Sequence, residues 1–384
     1  MKIETASAIA TAKQAALEVL HHNMCGPFSG LPRAAGWGYP EPYTRDCLIC
    51  ALGTLVSGDE RLIASLRNVL ETLARNQSVH GHIPSLVHDP ENRGASDTTP
   101  LFLMALSFFR KTMGDAEFLI DAMRRALTWM DYQSPCDRLL VAQLPTSDWR
   151  DEQWVLGFGL FVNTIVFTYL RALGYAGKAD LLRNQLGQPV FRNDRQRPNQ
   201  LEGLVIRKKP YYALWSYKIH CSERFDLLGN SLAIISGVAT PSRARRIVLW
   251  VEHECDILRA RGELVGELPP NFFPYITPQD PDWHARYEIY NRPGEYHNGG
   301  VWPFILGFYV AAIVAAGLPH LAQRKLAALT DFVRNARNSS LAFGFNEWVR
   351  ASDGVACGED WQSWSAAMYL YAAACVEQKR VLLF

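Results

Sequence analysis

Net charge is nearly absent from this sequence, in which 39 Lys and Arg residues balance 38 Asp and Glu residues to a formal charge of +1. Nucleic-acid and anionic-membrane partners call for concentrated positive charge, so the balance argues against both. No uninterrupted apolar run reaches the roughly 20 residues of a membrane-spanning helix; residues 304–318 come nearest. The N-terminus has no basic-then-apolar signal pattern. We therefore expect a cytoplasmic protein without a nucleic-acid or membrane partner.

Several catalytic chemistries lack their motifs. The sequence has no Gly-rich phosphate loop and no Gly-x-Ser-x-Gly elbow, so nucleotide chemistry and serine hydrolysis have no support. The eight cysteines are scattered, and Cys47 and Cys50 form a single Cys-x-x-Cys without a second pair. His80 and His82 have no acid triad nearby. We therefore expect reduced thiols, no metal and no cofactor.

Alternating apolar and polar residues are also scarce, and residues 204–217 are the main candidate for a small β-hairpin. Helical spacing recurs instead from one end of the chain to the other, as in Leu62, Leu66 and Val69. The sequence therefore predicts an all-α protein. Twelve segments show helical spacing: 6–22, 46–57, 59–76, 97–113, 115–130, 151–173, 177–186, 224–237, 242–259, 300–316, 319–337 and 361–376.

The even-numbered segments begin with polar motifs that the odd-numbered ones lack. Asp46, Asp97 and Asp148 stand at or just before the second, fourth and sixth segments, with 51 residues between successive positions. A repeat of about 50 residues with two helices closes or stacks. Six hairpins closed into a ring bring the inner N-termini to one funnel. We therefore predict an (α/α)6 barrel with a small hairpin insertion, forming a single catalytic domain over residues 1–384. The polar stretch 187–200 is predicted to be a long connection or flap.

Two carboxyl groups are the candidates for catalysis. Asp148 has Trp149 beside it and Asp151 and Glu152 one turn further on, so desolvation and like charge should raise its pKa and keep it neutral. A neutral acid is what general acid catalysis requires. An equally weighted interpretation makes residues 146–148 a helix N-cap. Glu347 is the second candidate. Two carboxyl groups across a funnel are the arrangement of glycoside hydrolysis.

Other polar motifs could hold a sugar. His297 and Asn298 precede two glycines and a helix start, where their side chains could donate to sugar hydroxyls or the amide could cap the helix. Arg45 and Asp46 could form an ion pair or a sugar site, and Asp97 reads equally as an N-cap or as a hydroxyl acceptor. The residues expected to contact the sugar are Arg45, Asp46, Asp97, Trp149, Asn230, His297, Asn298, Trp302, Trp361 and Gln362.

Three of these motifs together resemble those of a known protein family. The segments at 224–230 (Arg-Phe-Asp-Leu-Leu-Gly-Asn), 296–303 (Tyr-His-Asn-Gly-Gly-Val-Trp-Pro) and 362–365 (Gln-Ser-Trp-Ser) resemble the neutral/alkaline invertases, inverting (α/α)6 hydrolases that cleave sucrose. Residues 81–84 and 97–102 look like the wider group of (α/α)6 α-glucosidases, which includes glycogen-debranching glucosidases and hydrolases of glucosyl- or mannosylglycerate.

The resemblance implies an activity and two roles. It implies an inverting hydrolase of a small α-glucoside, sucrose first, with Asp148 as the general acid and Glu347 as the general base. The alternatives are a hydrolase of another α-glycoside, such as glucosyl- or mannosylglycerate or an α-1,6-glucoside, a sugar epimerase of the same fold, and a non-catalytic sugar-binding module. The partner is then a small carbohydrate, and homo-oligomer formation is left open.

Overall fold

The structure, a computed structural model, describes residues 3–92, 94–135, 139–190 and 202–384. Within these residues the chain forms thirteen helices, and none of them is both long and apolar enough to cross a membrane. They are α1 (Ile3–Asn23), α2 (Thr44–Ser57), α3 (Glu60–Arg75), α4 (Thr98–Met113), α5 (Ile120–Asp131), α6 (Leu160–Ala172), α7 (Ala176–Leu186), α8 (Leu227–Ile235), α9 (Pro241–Ala260), α10 (Tyr287–Tyr290), α11 (Pro303–Ala315), α12 (Pro319–Phe332) and α13 (Ser363–Gln378).

Short antiparallel strands lie between the helices in the described part of the chain. One sheet has the order β1–β2–β3, and β4 pairs with β5 and β6 with β7. The strands are β1 (Phe158–Gly159), β2 (Trp215–Tyr217), β3 (His220–Ser222), β4 (Phe225–Asp226), β5 (Phe272–Phe273), β6 (Trp348–Val349) and β7 (Ala356–Cys357).

Six helices form a closed inner ring. They pack side by side in the order α2, α4, α6, α8, α11 and α13, and α13 returns to α2. The helices α1, α3, α5, α7, α9 and α12 pack around this ring. One outer helix returns the chain between successive inner helices, so the inner N-termini lie at one end and the loops before them meet there. The predicted (α/α)6 barrel is confirmed.

Burial explains which helices lie inside. The inner helix α11 is buried at every residue from Pro303 to Ile313, because its neighbours cover it on all sides. The outer helix α3 buries only one stripe, which includes Leu62, Leu66 and Val69. A helix with one apolar stripe faces the core on that side and water on the other.

Glycine allows the closest contacts within the ring. A Cβ added at Gly53 of α2 would lie 2.0 Å from the carbonyl oxygen of Ala367 in α13. A Cβ at Gly307 of α11 would lie 2.5 Å from the carbonyl oxygen of Met368, also in α13. Both distances are far inside van der Waals contact, so α13 fits between α2 and α11 only because these positions have no side chain.

The sixth helix begins later than predicted. It starts at Leu160 and not at residue 151, so Asp148 lies twelve residues before α6 and does not cap it. Gln143 and Gly157 bond to each other through both backbone groups, at 2.8 and 2.9 Å, and Gly157 has φ +68°. These interactions fold residues 143–157 into a loop, and the regular 51-residue spacing does not mark equivalent positions.

The hairpin also lies at a different position in the chain from the one predicted. It consists of β2 and β3, so only its first strand lies within residues 204–217. Residues 204–217 pair less regularly, with an isolated bridge between Val205 and Tyr212. The predicted connection at 187–200 falls largely outside the described residues.

Candidate active site

The loops before the inner helices contain strained backbone. Thr146 (φ 57°), Tyr296 (42°), Phe345 (39°) and Trp361 (57°) are non-glycine residues with positive φ. Such conformations cost about 1–3 kcal/mol each and persist where the surroundings hold them, most often at functional sites. Phe345 stands two residues before Glu347, so the strain lies close to one of the predicted catalytic groups.

Asp148 belongs to a group that we call the arginine cluster, formed by Asp148, Arg150 and Asp226. The Arg150 guanidinium is 1% exposed and contacts Asp148 Oδ2 at 2.7 Å through Nη2 and Asp226 Oδ2 at 3.1 Å through Nη1. The backbone N–H of Arg150 donates to Asp148 Oδ1 at 2.8 Å, and Gln143 Nε2 donates to Oδ2 at 3.1 Å. Both oxygens of Asp148 are therefore occupied by protein donors.

The electrostatics of Asp148 contradict the sequence-based expectation. Burial favours its neutral form, but the charge and hydrogen bonds of Arg150 outweigh burial and lower the pKa of Asp148 below its usual value. A carboxylate that is ionised, fully buried and bonded to a guanidinium cannot deliver a proton to a glycosidic oxygen. The predicted raised pKa of Asp148 was wrong because the sequence argument considered Trp149 and the neighbouring acids but not Arg150.

A second group, which we call the carboxyl cluster, consists of Asp46, Asp151 and Glu347. Burial raises the pKa of Asp46 to about 7 although Arg45 opposes it, and Asp151 contributes like charge. Burial raises the pKa of Glu347 to about 8, with further repulsion from Asp46 and Asp151. The side chain of Asp151 is 63% exposed, and partial desolvation by nearby protein, with the like charge of Glu152, raises its pKa although Arg45 opposes the shift. The pKa values of all three members are therefore raised, and those of Asp46 and Glu347 lie near neutral pH.

Glu347 is fixed by the turn that follows β7. Its Oε2 accepts the backbone N–H of Glu359 at 3.0 Å, while the residue is only 5% exposed. A Cβ added at Gly358, which has φ +71°, would lie 2.1 Å from Glu347 Oε2. Glycine at position 358 therefore lets the backbone approach the carboxyl group, and the turn fixes where that group points.

Arg45 and Asp97 form an ion pair with each other. Arg45 donates from Nε and Nη2 to the two oxygens of Asp97 at 2.5 and 3.1 Å, and Asp97 is fully buried. Asp97 makes no side-chain cap bond to α4, so neither predicted role, N-cap or hydroxyl acceptor, is observed. Arg45 also lies close enough to Asp151 and Asp46 to act on them electrostatically, which places its charge beside the carboxyl cluster.

The side-chain amides of Asn298 and Asn230 bond to the backbone of neighbouring loops. Asn298 accepts from the N–H of Ile276 at 2.7 Å and donates to its carbonyl at 2.8 Å. Asn230 bonds to both backbone groups of Tyr212 in the same way, at 2.9 and 3.2 Å. Both side chains are fully buried and hold a neighbouring loop as a strand would. The amides thus have a structural role in the loops, and their contact with substrate stays a prediction.

The aromatic residues between the two clusters form a buried wall. Trp149 and Trp302 are each 2% exposed, and their rings lie 5.4 Å apart. His297, which is 1% exposed, packs against both, and desolvation lowers its pKa well below the usual value, so the ring is neutral. Its Nε2 lies 3.9 Å from Asp151 Oδ1. Trp149 and Trp302 thus belong to the core, contrary to prediction, whereas His297 reaches the carboxyl cluster.

Trp361 and Gln362 lie in the last loop before α13. Trp361 is partly exposed, donates from Nε1 to the carbonyl of Phe343 at 3.0 Å, and has the ring of Trp37 at 5.1 Å. Gln362 is 1% exposed at the N-cap position of α13 without a side-chain cap bond. Among the described residues, no group of three or more potential ligands is arranged to hold a metal ion.

Sequence reasoning missed Arg150, and it considered Asp151 only as a neighbour of Asp148. The signal was present, because an arginine stands between the two aspartates in Asp-Trp-Arg-Asp at 148–151. Arg150, two residues after Asp148, can neutralise Asp148, and Asp151 is then left without this cation as its partner. Tyr39 was also missed; its hydroxyl lies near Glu347 and Glu359, whose charges add to burial in raising the pKa of Tyr39.

Comparison with known proteins gives two independent relationships. Residues 198–379 match the sequence profile of the alkaline and neutral invertases. Cytosolic invertase 1 of Oryza sativa subsp. japonica is 31% identical over 159 residues, which is 40% of this chain and 26% of the relative. The probable alkaline/neutral invertase F of Arabidopsis thaliana is 32% identical over 155 residues, 39% of this chain and 28% of the relative. The chain thus spans about a quarter of the length of the curated relatives it matches.

The second relationship is one of fold. The structure of a GH63 mannosylglycerate hydrolase from Thermus thermophilus, in complex with glucose, superimposes with a TM-score of 0.65 at 18% identity. The superposition covers 93% of this chain and 98% of that chain. The resemblance inferred from the sequence is therefore confirmed: the chain is related to the alkaline and neutral invertases through residues 198–379, and it has the (α/α)6 barrel fold of GH63 glycosidases.

Proposed function

We propose that this chain is a glycoside hydrolase that acts on a small α-glucoside, with residues 1–384 forming one catalytic domain. The observation that carries the proposal is the carboxyl cluster at the N-terminal end of the inner ring, in which burial raises the pKa of Asp151 and the charge of Asp151 adds to burial in raising the pKa of Glu347. Glycoside hydrolysis needs one carboxyl group that is protonated and one that is ionised on either side of the scissile bond.

Asp151 serves as the general acid in this proposal, in place of Asp148. Its side chain is accessible, its pKa is raised, and it lies in the same loop as Asp148. Glu347 serves as the general base, since it is held under Gly358 with one oxygen bonded to the Glu359 N–H and the other left for water. An inverting enzyme uses such a base to direct water at the anomeric carbon.

The pair is active when it carries one proton, with that proton on Asp151 and the charge on Glu347. Because burial raises the pKa of Glu347 to about 8, the proton must be exchanged between the two groups to reach this arrangement. When both groups are protonated, no base remains. Above the pKa of Glu347, about 8, both are ionised and no acid remains. The apparent values belong to the coupled pair and not to either residue alone. We therefore expect kcat/KM to fall on both sides, with the upper limb near pH 8.

Asp46 and Arg45 bind the sugar in this proposal. The carboxyl group of Asp46 lies in the first turn of α2, close enough to Asp151 and Glu347 for their charges to interact. An acceptor at that position suits a sugar hydroxyl bound between the catalytic groups. Arg45 is held by Asp97 and offers its remaining positive charge to the same space. His297, which is neutral, lines the side next to Asp151.

Sucrose is the first substrate to test, because the matched relatives carry the name invertase. Mannosylglycerate and glucosylglycerate come next, since a solved structure with this fold is named a mannosylglycerate hydrolase. Isomaltose represents the α-1,6-glucosides. These substrates differ in the leaving group, and the hexose that the carboxyl cluster would hold is glucose in all of them except mannosylglycerate, where it is mannose.

Proton NMR of the anomeric signals, recorded in the first minutes of reaction with each substrate, tests the proposal. We expect hexose release from at least one α-glucoside, with the β-anomer of glucose appearing first. Glu347→Gln should abolish release while the folded structure is retained by circular dichroism. Absence of hexose from the whole panel would contradict a hydrolase, and first appearance of the α-anomer would contradict inversion.

A further inference from the structure

A row of aromatic side chains leads away from the carboxyl cluster along the loop before α2. We call Trp37, Tyr39 and Tyr43 the aromatic strip. Trp37 is 56% exposed and Tyr43 38% exposed, whereas Tyr39 is partly buried between them. The rings of Tyr39 and Tyr43 meet edge to face at 6.4 Å. Because the loop precedes an inner helix, the strip lies on the side of the barrel where the carboxyl cluster lies.

The outer end of the strip is rigid. The ring of Trp37 lies 5.1 Å from that of Trp361, and the backbone N–H of Gly36 donates to the carbonyl of Trp361 at 3.1 Å. A Cβ added at Gly38 would lie 2.1 Å from the carboxyl carbon of Glu359, so this turn packs directly on the turn at 359–361. A second indole, one backbone hydrogen bond and the contact between Gly38 and the Glu359 side chain therefore restrain the exposed indole of Trp37.

The strip is in electrostatic contact with both catalytic carboxyl groups. Burial and then the charges of Glu347 and Glu359 raise the pKa of Tyr39. Burial and then the charges of Glu41, Asp46 and Asp151 raise the pKa of Tyr43. Tyr39 thus lies near the base, and Tyr43 lies near the acid and the sugar-binding aspartate. Trp37 is the member of the strip that lies beyond these residues, next to Glu359.

An isolated exposed tryptophan is common on protein surfaces and needs no ligand. Trp37 differs because its ring packs against Trp361 and its turn contacts Glu359, whose backbone N–H bonds to Glu347, so its flat face is held near the carboxyl cluster before a ligand arrives. Binding to an ordered surface avoids the entropy cost of ordering a side chain. A pyranose or furanose ring offers an apolar C–H face that matches a flat indole in size.

We infer that Trp37 is the platform for the ring of the leaving group, so that the chain selects glycosides with a second ring over those with an acyclic leaving group. This inference rests on the proposed function for the identity of the site and goes beyond it in the choice of substrate. It favours a disaccharide such as sucrose and disfavours glucosylglycerate or mannosylglycerate, whose leaving group is the acyclic glycerate.

Steady-state kinetics of Trp37→Ala with sucrose and with methyl α-glucoside test the inference. We expect kcat/KM for sucrose to fall by about tenfold, equivalent to about 1.4 kcal/mol, mostly through KM. The value for methyl α-glucoside, which has no second ring, should change by less than about twofold. Trp37→Phe should retain most of the sucrose activity because it keeps a flat ring. Tyr175→Ala, which removes a 41% exposed ring at the opposite end of α6, is the matched control.

Isothermal titration of sucrose into the Glu347→Gln protein, with and without Trp37→Ala, separates the inference from the proposed function. Binding that is weakened about tenfold by Trp37→Ala supports the platform even if no substrate is hydrolysed. The platform is overturned if sucrose binds equally well with Trp37 and with alanine at position 37. It is also overturned if Trp37→Ala weakens the binding of sucrose and of methyl α-glucoside by the same factor. Absence of sucrose and isomaltose binding to the parent protein overturns both the platform and the sugar site.

Discussion

Two clusters of carboxyl groups lie at the same end of the barrel and differ in their partners. In the arginine cluster, Asp148 and Asp226 share the buried guanidinium of Arg150; the pKa of Asp148 is lowered, whereas burial still raises the pKa of Asp226. In the carboxyl cluster the groups have no such cation between them, and the pKa values of Asp46, Asp151 and Glu347 are raised. Asp148 and Asp151 are only three residues apart. The protonation of these carboxyl groups therefore depends more on the groups that they contact than on their position in the chain.

The difference follows from the partners of the two arginines, Arg150 and Arg45. Arg150 bonds to Asp148 and Asp226 on the buried side of the loop. Arg45, the cation beside the carboxyl cluster, already forms two hydrogen bonds with Asp97. Its remaining influence lowers the pKa values of Asp46 and Asp151 but does not overcome burial. One cluster is thus suited to hold the loop and the other to exchange protons.

Removing Arg150 should have the largest effect on stability. Arg150→Met leaves two buried carboxylates without a cation, and breaking one side of a buried ion pair costs about 3–5 kcal/mol. Urea denaturation at pH 7 measures this. Arg286→Met is the matched control, because Arg286 pairs with Glu152 while 61% exposed, and solvent screening leaves surface pairs with little net contribution to stability. Equal losses for the two variants would contradict the structural role of the arginine cluster.

Glu347→Gln should stabilise the fold at high pH. The folded pKa of Glu347 is raised to about 8 from an ordinary 4.5, so its favourable contribution is complete below pH 4.5 and is lost as pH rises to 8. Glutamine keeps an acceptor for the Glu359 N–H and carries no charge. The shift sets an upper bound of about 5 kcal/mol, and we expect a gain of a few kcal/mol at pH 9 that vanishes at pH 4.

The melting temperatures of the two proteins between pH 4 and pH 9 measure this gain. Glu377→Gln, at a side chain that is 50% exposed, is the control and should follow the wild type at every pH. A constant difference between Glu347→Gln and wild type across the range would mean that Glu347 has the same pKa in the folded and unfolded states, which would remove it from the carboxyl cluster as described.

Asp46→Asn should have the smallest effect of the three. Asp46 acts on Glu347 within the cluster, because its negative charge raises the pKa of Glu347. Its removal should therefore move the titration of Glu347 to lower pH. Carbon NMR of the glutamate carboxyl groups, with Glu347→Gln used to assign the signal, follows this directly. A shift to higher pH would contradict the repulsion between the two groups.

The fold was more predictable than the site. Helical spacing and the alternation of polar starts were enough for the (α/α)6 barrel, because burial of an inner ring imposes them on long stretches of sequence. The start of α6 was missed by nine residues, since Val155 continues an apolar pattern while the backbone bonds between Gln143 and Gly157 keep the chain in a loop. Local pairing of this kind is not visible in periodicity.

Residue type alone does not decide the role of a polar side chain that bonds to the backbone. Asn230 and Asn298 carry the residue types of a sugar site and bond to Tyr212 and Ile276. Which partner an amide chooses depends on a loop distant in sequence, so composition and spacing cannot decide it. Glu347 was predictable as a titrating group because it stands between apolar segments. Asp151 was not, because the sequence does not show that the neighbouring Arg150 bonds to Asp148 and not to Asp151.

The assignment of Asp151 as the general acid is the central claim, and hydrolysis of α-glucosyl fluoride tests it most directly. Fluoride leaves without protonation, so loss of the acid should spare this substrate. We predict that Asp151→Asn lowers kcat on the preferred unactivated glycoside by about 10²–10⁴-fold but leaves kcat on the fluoride within a few-fold. Asp148→Asn should change kcat per folded molecule by the same factor on both substrates. A fluoride-spared loss in Asp148→Asn, with none in Asp151→Asn, would contradict the account.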